Sequence, residues 1–234
     1  MQGGEVDISV DKDLNAVISC GRSVFNIKAG DASEFPSLPE VSSKNGITLP
    51  ANTLRSMIND TIFAISTNEN KPVHMGTLFE TENGVLSLIS VDGYRLALRR
   101  EALAEQNGSF EFVVPGVSLN EVEKICEDSE EPITVILGKR HLMFETGSTR
   151  LICRKLDGEF LDYKNAIPRN NPIRLTVDTK TMLSSLDRVS VVISEKLKSP
   201  VRCLLENGSV TMSAKTGNGE ATDVCPVDGD GQGL

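Results

Sequence analysis

An α+β fold built from repeated β-α-β-β-β units is predicted by three observations. A pattern of elements recurs 126 positions along the chain, from Gly21 to Gly147. Asn-Gly pairs flanked by alternating residues stand at matching places in the two copies. The predicted helices each carry one apolar stripe, and one stripe needs one covering sheet.

The elements follow in order. Gly21-Arg22-Ser23-Val24-Phe25-Asn26-Ile27-Lys28 reads as a turn and an alternating strand, and Gly147-Ser148-Thr149-Arg150-Leu151-Ile152-Cys153-Arg154 has the same shape. Each runs into an acidic turn and a Phe, Asp31 to Phe35 and Asp157 to Phe160. Each then enters an extended, Pro-containing linker, ending near Pro39 and near Pro168. A short strand follows (Ile47–Leu49; Arg174–Val177), then a helix over about 52–66 and about 179–192. Pro72 and Pro200 precede the hairpins, which turn at Asn83-Gly84 and Asn207-Gly208. A half-repeat lies within the unit: a strand over 110–115, a helix over 118–127, and strands over 132–137 and 141–145.

The stripes are Leu54, Met57, Ile58 and Ile62 in one helix and Met182, Leu183, Leu186, Val189 and Val192 in another. Ser118, with Glu121 three residues on, reads as a capping box. The repeat divides the chain into the tail of one unit (1–44), a whole unit (45–170) and the first half of another (171–234). Roughly 85 further residues are expected before and roughly 70 after, from the repeat length. The split units are expected to expose sheet edges and apolar surface.

Composition excludes several classes. No apolar run approaches the length that spans a bilayer, and the N-terminus has no signal-peptide pattern. Five cysteines without a Cys-x-x-Cys pair read as free thiols of a cytoplasmic protein, and two histidines build no zinc site. No phosphate loop, nucleophile–base set or metal motif is present, so neither catalysis nor a cofactor is expected. The net charge of −9 argues against a simple nucleic-acid binder. It leaves room for a local basic strip, because fields are screened within about 8 Å in physiological salt.

Local residues add a family resemblance. Leu78-Phe79-Glu80-Thr81, Val91-Asp92-Gly93-Tyr94-Arg95-Leu96-Ala97, Val113-Val114-Pro115 and Leu156-Asp157-Gly158-Glu159-Phe160 with Asp162-Tyr163 resemble the second domain of the bacterial sliding clamp, the DNA polymerase III beta subunit. Ser194-Glu195-Lys196 with Val201-Arg202 resembles the start of its third domain, and Gly21 to Pro36 the end of its first. The resemblance implies the DNA-clamp fold, with helices on the pore side and antiparallel sheets outside. It implies a homodimeric ring that encircles duplex DNA without reading sequence and tethers the replicative polymerase. The implied partners are the polymerase III alpha subunit, the clamp loader and other proteins with clamp-binding motifs. Ring closure is not expected of this stretch alone.

The resemblance also implies a hydrophobic peptide-binding cleft made by His74, Val91, Gly93, Tyr94, Arg95, Leu96, Leu161, Asn165, Ala166 and Leu197. Many members have Pro at Leu161, Arg and an apolar residue at Asn165 and Ala166, and a larger side chain at Leu197. Candidate DNA-facing residues are Arg55, Asn68, Lys71, Lys124, Lys180, Arg188, Lys196 and Lys198. A basic pair that some members carry after the Val-Val-Pro strand is Gly116-Val117 here. The alternative is a duplicated α+β hydrolase or ligand-binding domain, for which Asp92 with Arg95, or Glu80 with His74, would be the acid–base pairs.

Overall fold

In the computed structural model the repeat folds as a doubled unit whose halves trade strands. Residues 4–41, 46–104, 108–126, 128–193, 199–206 and 208–229 are described. The chain divides into two compact units, Met1–Leu161 and Asp162–Leu234.

The first unit opens with β1 (Asp7–Val10), β2 (Asn15–Cys20) and β3 (Ser23–Lys28), a three-stranded antiparallel sheet. Its apolar side chains are largely uncovered: Ile8, Val10, Phe25 and Ile27 are all exposed. Then come β4 (Gly46–Pro50), α1 (Ala51–Asn59), 3-10 turns at Ile62–Ala64 and Pro72–Met75, β5 (Gly76–Glu82), β6 (Val85–Val91) and β7 (Leu96–Ala102). The second half repeats the order as β8 (Phe110–Pro115), α2 (Gly116–Ile125), β9 (Pro132–Leu137), β10 (His141–Thr146) and β11 (Thr149–Arg154).

The sheets do not follow chain order. One is β11-β10-β9-β4 and the other β7-β6-β5-β8. Each half therefore lends its first strand to the other half's sheet. Leu49 pairs with Ile133 and Phe79 with Phe112, whose rings stack at 5.3 Å. The two helices pack together, and Leu54, Met57 and Ile58 join Leu119 and Val122 in one core with Phe79, Phe112, Leu142 and Phe144. Removing either half would leave a single strand of one sheet, take an edge strand from the other and open this core.

Local chemistry explains the elements. Asn83 and Gly84 both take positive φ, 52° and 76°, the geometry that closes a two-residue hairpin with the strand twist. Leu54, Met57 and Ile58 are buried at the predicted helical spacing. The first helix is shorter than expected, however, and Ile62 falls in the following 3-10 turn. Its first N–H groups, on Ala51 and Asn52, donate to the carbonyls of Glu131 and Ser129, so a neighbouring loop caps it. The predicted capping box fails. α2 starts at Gly116 directly after Pro115, which leaves Ser118 inside the first turn, with no side-chain cap.

The second unit contains α3 (Tyr163–Ala166), β12 (Leu175–Thr176), α4 (Thr179–Ser190), β13 (Arg202–Glu206), β14 (Ser209–Thr216), β15 (Gly219–Pro226) and β16 (Asp228–Gly229). Strands β13, β14 and β15 form an antiparallel sheet in sequence order, and β12 pairs with β16. Asp178 caps α4 by accepting from the Thr181 N–H at 2.9 Å. Val189 is buried and Met182 and Leu186 pack beside it, as the stripe predicts. Leu183 does not: it is 57% exposed, and Ser185 takes the buried position instead. Asn207, the first residue of the second predicted hairpin turn, lies outside the described residues.

Candidate functional site

At one end of the β7-β6-β5-β8 sheet, β6 closes on β7 through the turn 92–95. Val91, the last residue of β6, is buried and pairs with Leu96, the first of β7. Between them Asp92 builds the turn. Its Oδ1 accepts from the backbone N–H groups of Tyr94 at 3.0 Å and Arg95 at 3.1 Å. Its Oδ2 accepts from the Arg95 Nε at 2.8 Å. Burial acts to raise the Asp92 pKa, but these bonds and the Arg95 charge outweigh it and hold the carboxyl below its ordinary value. Gly93 takes φ +92°, with nothing near the place a Cβ would occupy. The requirement there is backbone conformation, not space.

This turn projects Tyr94 fully into solvent and lays the Arg95 guanidinium over the Phe63 ring, 5.6 Å from its centroid. Phe63, in the 3-10 turn after α1, is itself exposed. Asp92 and Arg95 are thus turn components, and neither is poised as an acid or base.

His74 stands in the 3-10 turn that leads into β5. Its carbonyl accepts from the Ser66 N–H at 2.8 Å and its N–H donates to the Lys71 carbonyl at 3.0 Å. Burial, and secondarily the Lys71 charge, lowers the imidazole pKa, so the ring is neutral at pH 7. Its ring partner is Phe160, in a T-shaped pair at 5.3 Å between centroids and 73° between planes. Leu161 follows Phe160 directly and is 45% exposed.

The structure therefore gathers Val91, Gly93, Tyr94, Arg95 and Leu96 on one turn, and joins His74 through Phe160 to Leu161. Asn165 and Ala166 are exposed in α3 of the second unit, where Asn165 donates to the Asp162 carboxylate at 2.6 Å. Leu197 lies outside the described residues. Phe63 and the seat of Phe160 against His74 were not anticipated. Phe63 falls off the apolar stripe of its predicted helix, and an aromatic there was the available signal.

The candidate DNA-facing residues are less free than their sequence positions imply. The Arg55 Nε lies 3.8 Å from Glu123, and the Lys124 Nζ 2.7 Å from Glu121. Arg188 bonds Asp223 across to β15. Exposed pairs of this kind add little stability, but each offsets a positive charge. Asn68 organises its own loop, its side chain accepting from the Asn70 N–H at 3.0 Å. Lys71 and Lys180 make no ion pair among the described residues. Lys196 and Lys198 lie outside them. At Gly116 a Cβ would meet the Ile65 Cδ1 at 2.2 Å, so any side chain there requires Ile65 to move.

A family model described as the DNA polymerase III beta subunit, central domain, matches residues 48–162. The chain is 33% identical over 217 residues to the beta sliding clamp of Halalkalibacterium halodurans, covering 91% of this chain and 57% of that protein. It is 32% identical over 191 residues to the beta sliding clamp of Bacillus subtilis, covering 81% of this chain and 50% of that one. The crystal structure of the Bacillus subtilis DNA polymerase sliding clamp superposes with a TM-score of 0.90 at 28% identity, over 98% of this chain and 61% of that one. The chain thus spans between half and three fifths of the length of these curated relatives.

Proposed function

Because the chain belongs to the bacterial DNA polymerase III beta subunit family, we propose that it serves as part of a sliding clamp, the processivity factor that holds a replicative polymerase on duplex DNA. Its fold is the clamp fold. In this reading residues 1–44 close a first domain, 45–170 form the complete second domain, and 171–234 begin a third. The ring would need a second copy and the remainder of both flanking domains. DNA would be held loosely, through a few phosphate contacts, as the pairing of Arg55, Lys124 and Arg188 with carboxylates favours.

Partners would dock by short peptides at the second-domain side of the cleft. The turn built by Asp92 carries this reading: it presents an exposed Tyr94 and a guanidinium held over Phe63, beside Leu96. A peptide can lay apolar side chains on such a surface and bond a carbonyl or carboxylate to Arg95. The second-unit contributions would come from Asn165, Ala166 and Leu197.

The test is fluorescence anisotropy of a labelled peptide carrying the clamp-binding motif of the polymerase III alpha subunit. Weak, saturable binding is expected, reduced by both Tyr94→Ala and Leu96→Ala. Equal binding by all three proteins would overturn the site.

A further inference from the structure

The segment from Leu156 to Leu161 is a strap fixed by two contacts, with a glycine bend between them. The Leu156 N–H donates to the Val113 carbonyl at 3.0 Å, which ties the strap to β8. Gly158 takes φ +135°, and the place of its absent Cβ lies 3.4 Å from the Val73 Cβ. The Phe160 ring meets His74 in the T-shaped pair at 5.3 Å. Val73 and His74 belong to the same 3-10 turn, Pro72–Met75. That turn is anchored on both sides of His74, by the bonds to Ser66 and Lys71. The strap is therefore held by a backbone bond at its start and by a fixed aromatic contact at its end. Leu161 is the next residue.

We infer that Gly158 and Phe160 are positioning residues, which hold Leu161 in register with the His74 side of the peptide site. This rests on the peptide-site reading above. Neither residue needs to touch a peptide. Their effect passes through Leu161, the next residue on the strap, whose side chain is 45% exposed. Gly158 is required because its φ is one that L side chains rarely adopt, although a methyl group there would meet Val73 only at ordinary contact distance. Phe160 is required because an edge-to-face pair fixes both distance and angle.

Two histidines, His74 and His141, give the chain two imidazole Hε1 resonances, so NMR can follow the titration of His74 directly. Burial is the larger cause of its lowered pKa, and the Lys71 charge adds to it. Uncovering the ring should return that pKa toward the ordinary imidazole value. The experiment measures the His74 titration and the anisotropy Kd of the alpha-subunit peptide on the full chain. Wild type is compared with Phe160→Leu, Phe160→Tyr, Gly158→Ala and Leu96→Ala.

Phe160→Leu should raise the His74 pKa and weaken the peptide roughly two- to tenfold, the scale of a lost aromatic pair. Phe160→Tyr should retain wild-type values in both readouts. Gly158→Ala should shift both in the same direction as Phe160→Leu, and it serves as the second variant should Phe160→Leu fail to fold. Leu96→Ala should lose peptide while leaving the His74 titration unchanged. If the strap variants move the His74 pKa but bind peptide as wild type does, the positioning role is overturned and the peptide site stands. An unmoved His74 pKa in both strap variants overturns the contact itself. If wild type and Leu96→Ala bind alike or not at all, the peptide-site reading falls and the strap inference with it.

Discussion

Asp92 and Arg95 are joined three times: by a side-chain bond of 2.8 Å, by the Arg95 backbone N–H, which donates to the same carboxylate at 3.1 Å, and by the Asp92 N–H, which donates to the Arg95 carbonyl at 3.3 Å. The pair builds the turn that presents Tyr94, so charge on Asp92 and shape of the turn are linked. The folded carboxyl has a lowered pKa, whereas the unfolded one titrates near its ordinary value. Its stabilisation is therefore present above the unfolded carboxylate value and is lost as pH falls through the lowered folded value. Asp92→Asn keeps an oxygen for the two N–H groups and removes the charge. We expect it to lower the urea midpoint at pH 7 slightly and to flatten the acid limb of midpoint against pH. An acid limb identical to wild type would show that the carboxylate contributes nothing.

Gly93 makes a separate prediction about the same turn. At φ +92° an alanine is strained although nothing crowds it. Gly93→Ala should cost about 1–2 kcal/mol, the left-handed penalty of an L residue. Gly93→Asn should cost less, since Asn tolerates positive φ better. Thermal melts of the two variants give the order, and an alanine as stable as wild type would contradict the geometry.

Much of this fold was legible in the sequence, for reasons that differ by element. The hairpin at Asn83-Gly84 was legible because its φ values need those residue types. The stripe of Leu54, Met57 and Ile58 was legible because burial follows local spacing. The exchange of β4 and β8 between half-units was not, since which remote strands pair depends on packing of the whole core. Ser118 misled because a capping pattern says nothing of a chain that enters the helix at Pro115. Leu183 misled because a helix with one covering sheet buries a narrower face than its apolar residues span. In the site, Asp92-Gly93 announced a turn, but the reach of Arg95 to Phe63 and of Phe160 to His74 joins residues far apart in sequence.

Space, rather than conformation, separates two other glycines. A Cβ on Gly76 would lie 2.3 Å from the Val114 carbonyl oxygen, which is fixed in the β5–β8 ladder. A Cβ on Gly116 would meet the end of the Ile65 side chain at 2.2 Å, which can swing away, and the Met75 carbonyl oxygen at 3.2 Å, a far milder backbone approach than at Gly76. Gly76→Ala should therefore destabilise by about 1–3 kcal/mol or more, as overpacking against rigid neighbours does. Gly116→Ala should cost clearly less, and its cost should shrink further in combination with Ile65→Val. Urea denaturation of the single and double variants decides it: equal losses at the two glycines would refute the distinction.

The cysteines give a prediction in the alkaline range. Burial pushes the Cys126 thiol from 9.0 up to about 11, with a nearby Arg55 acting weakly against it. The Cys153 thiol is raised by burial as well, whereas Cys203 is exposed. A thiolate is the reactive form, so Cys203 should react rapidly with iodoacetamide at pH 8 while Cys126 stays protected in the folded chain. The sign for stability follows from the raised folded pKa. The Cys126 contribution is fully present below 9, where the unfolded thiol begins to ionise, and is lost as pH rises through about 11. Cys126→Ala should lose that alkaline dependence and leave a cavity between α2 and the core, at a constant cost below pH 9. Mass spectrometry of the labelled protein locates the adduct. Modification of Cys126 at the rate of Cys203, without unfolding, would mean that the core around α2 is open to solvent.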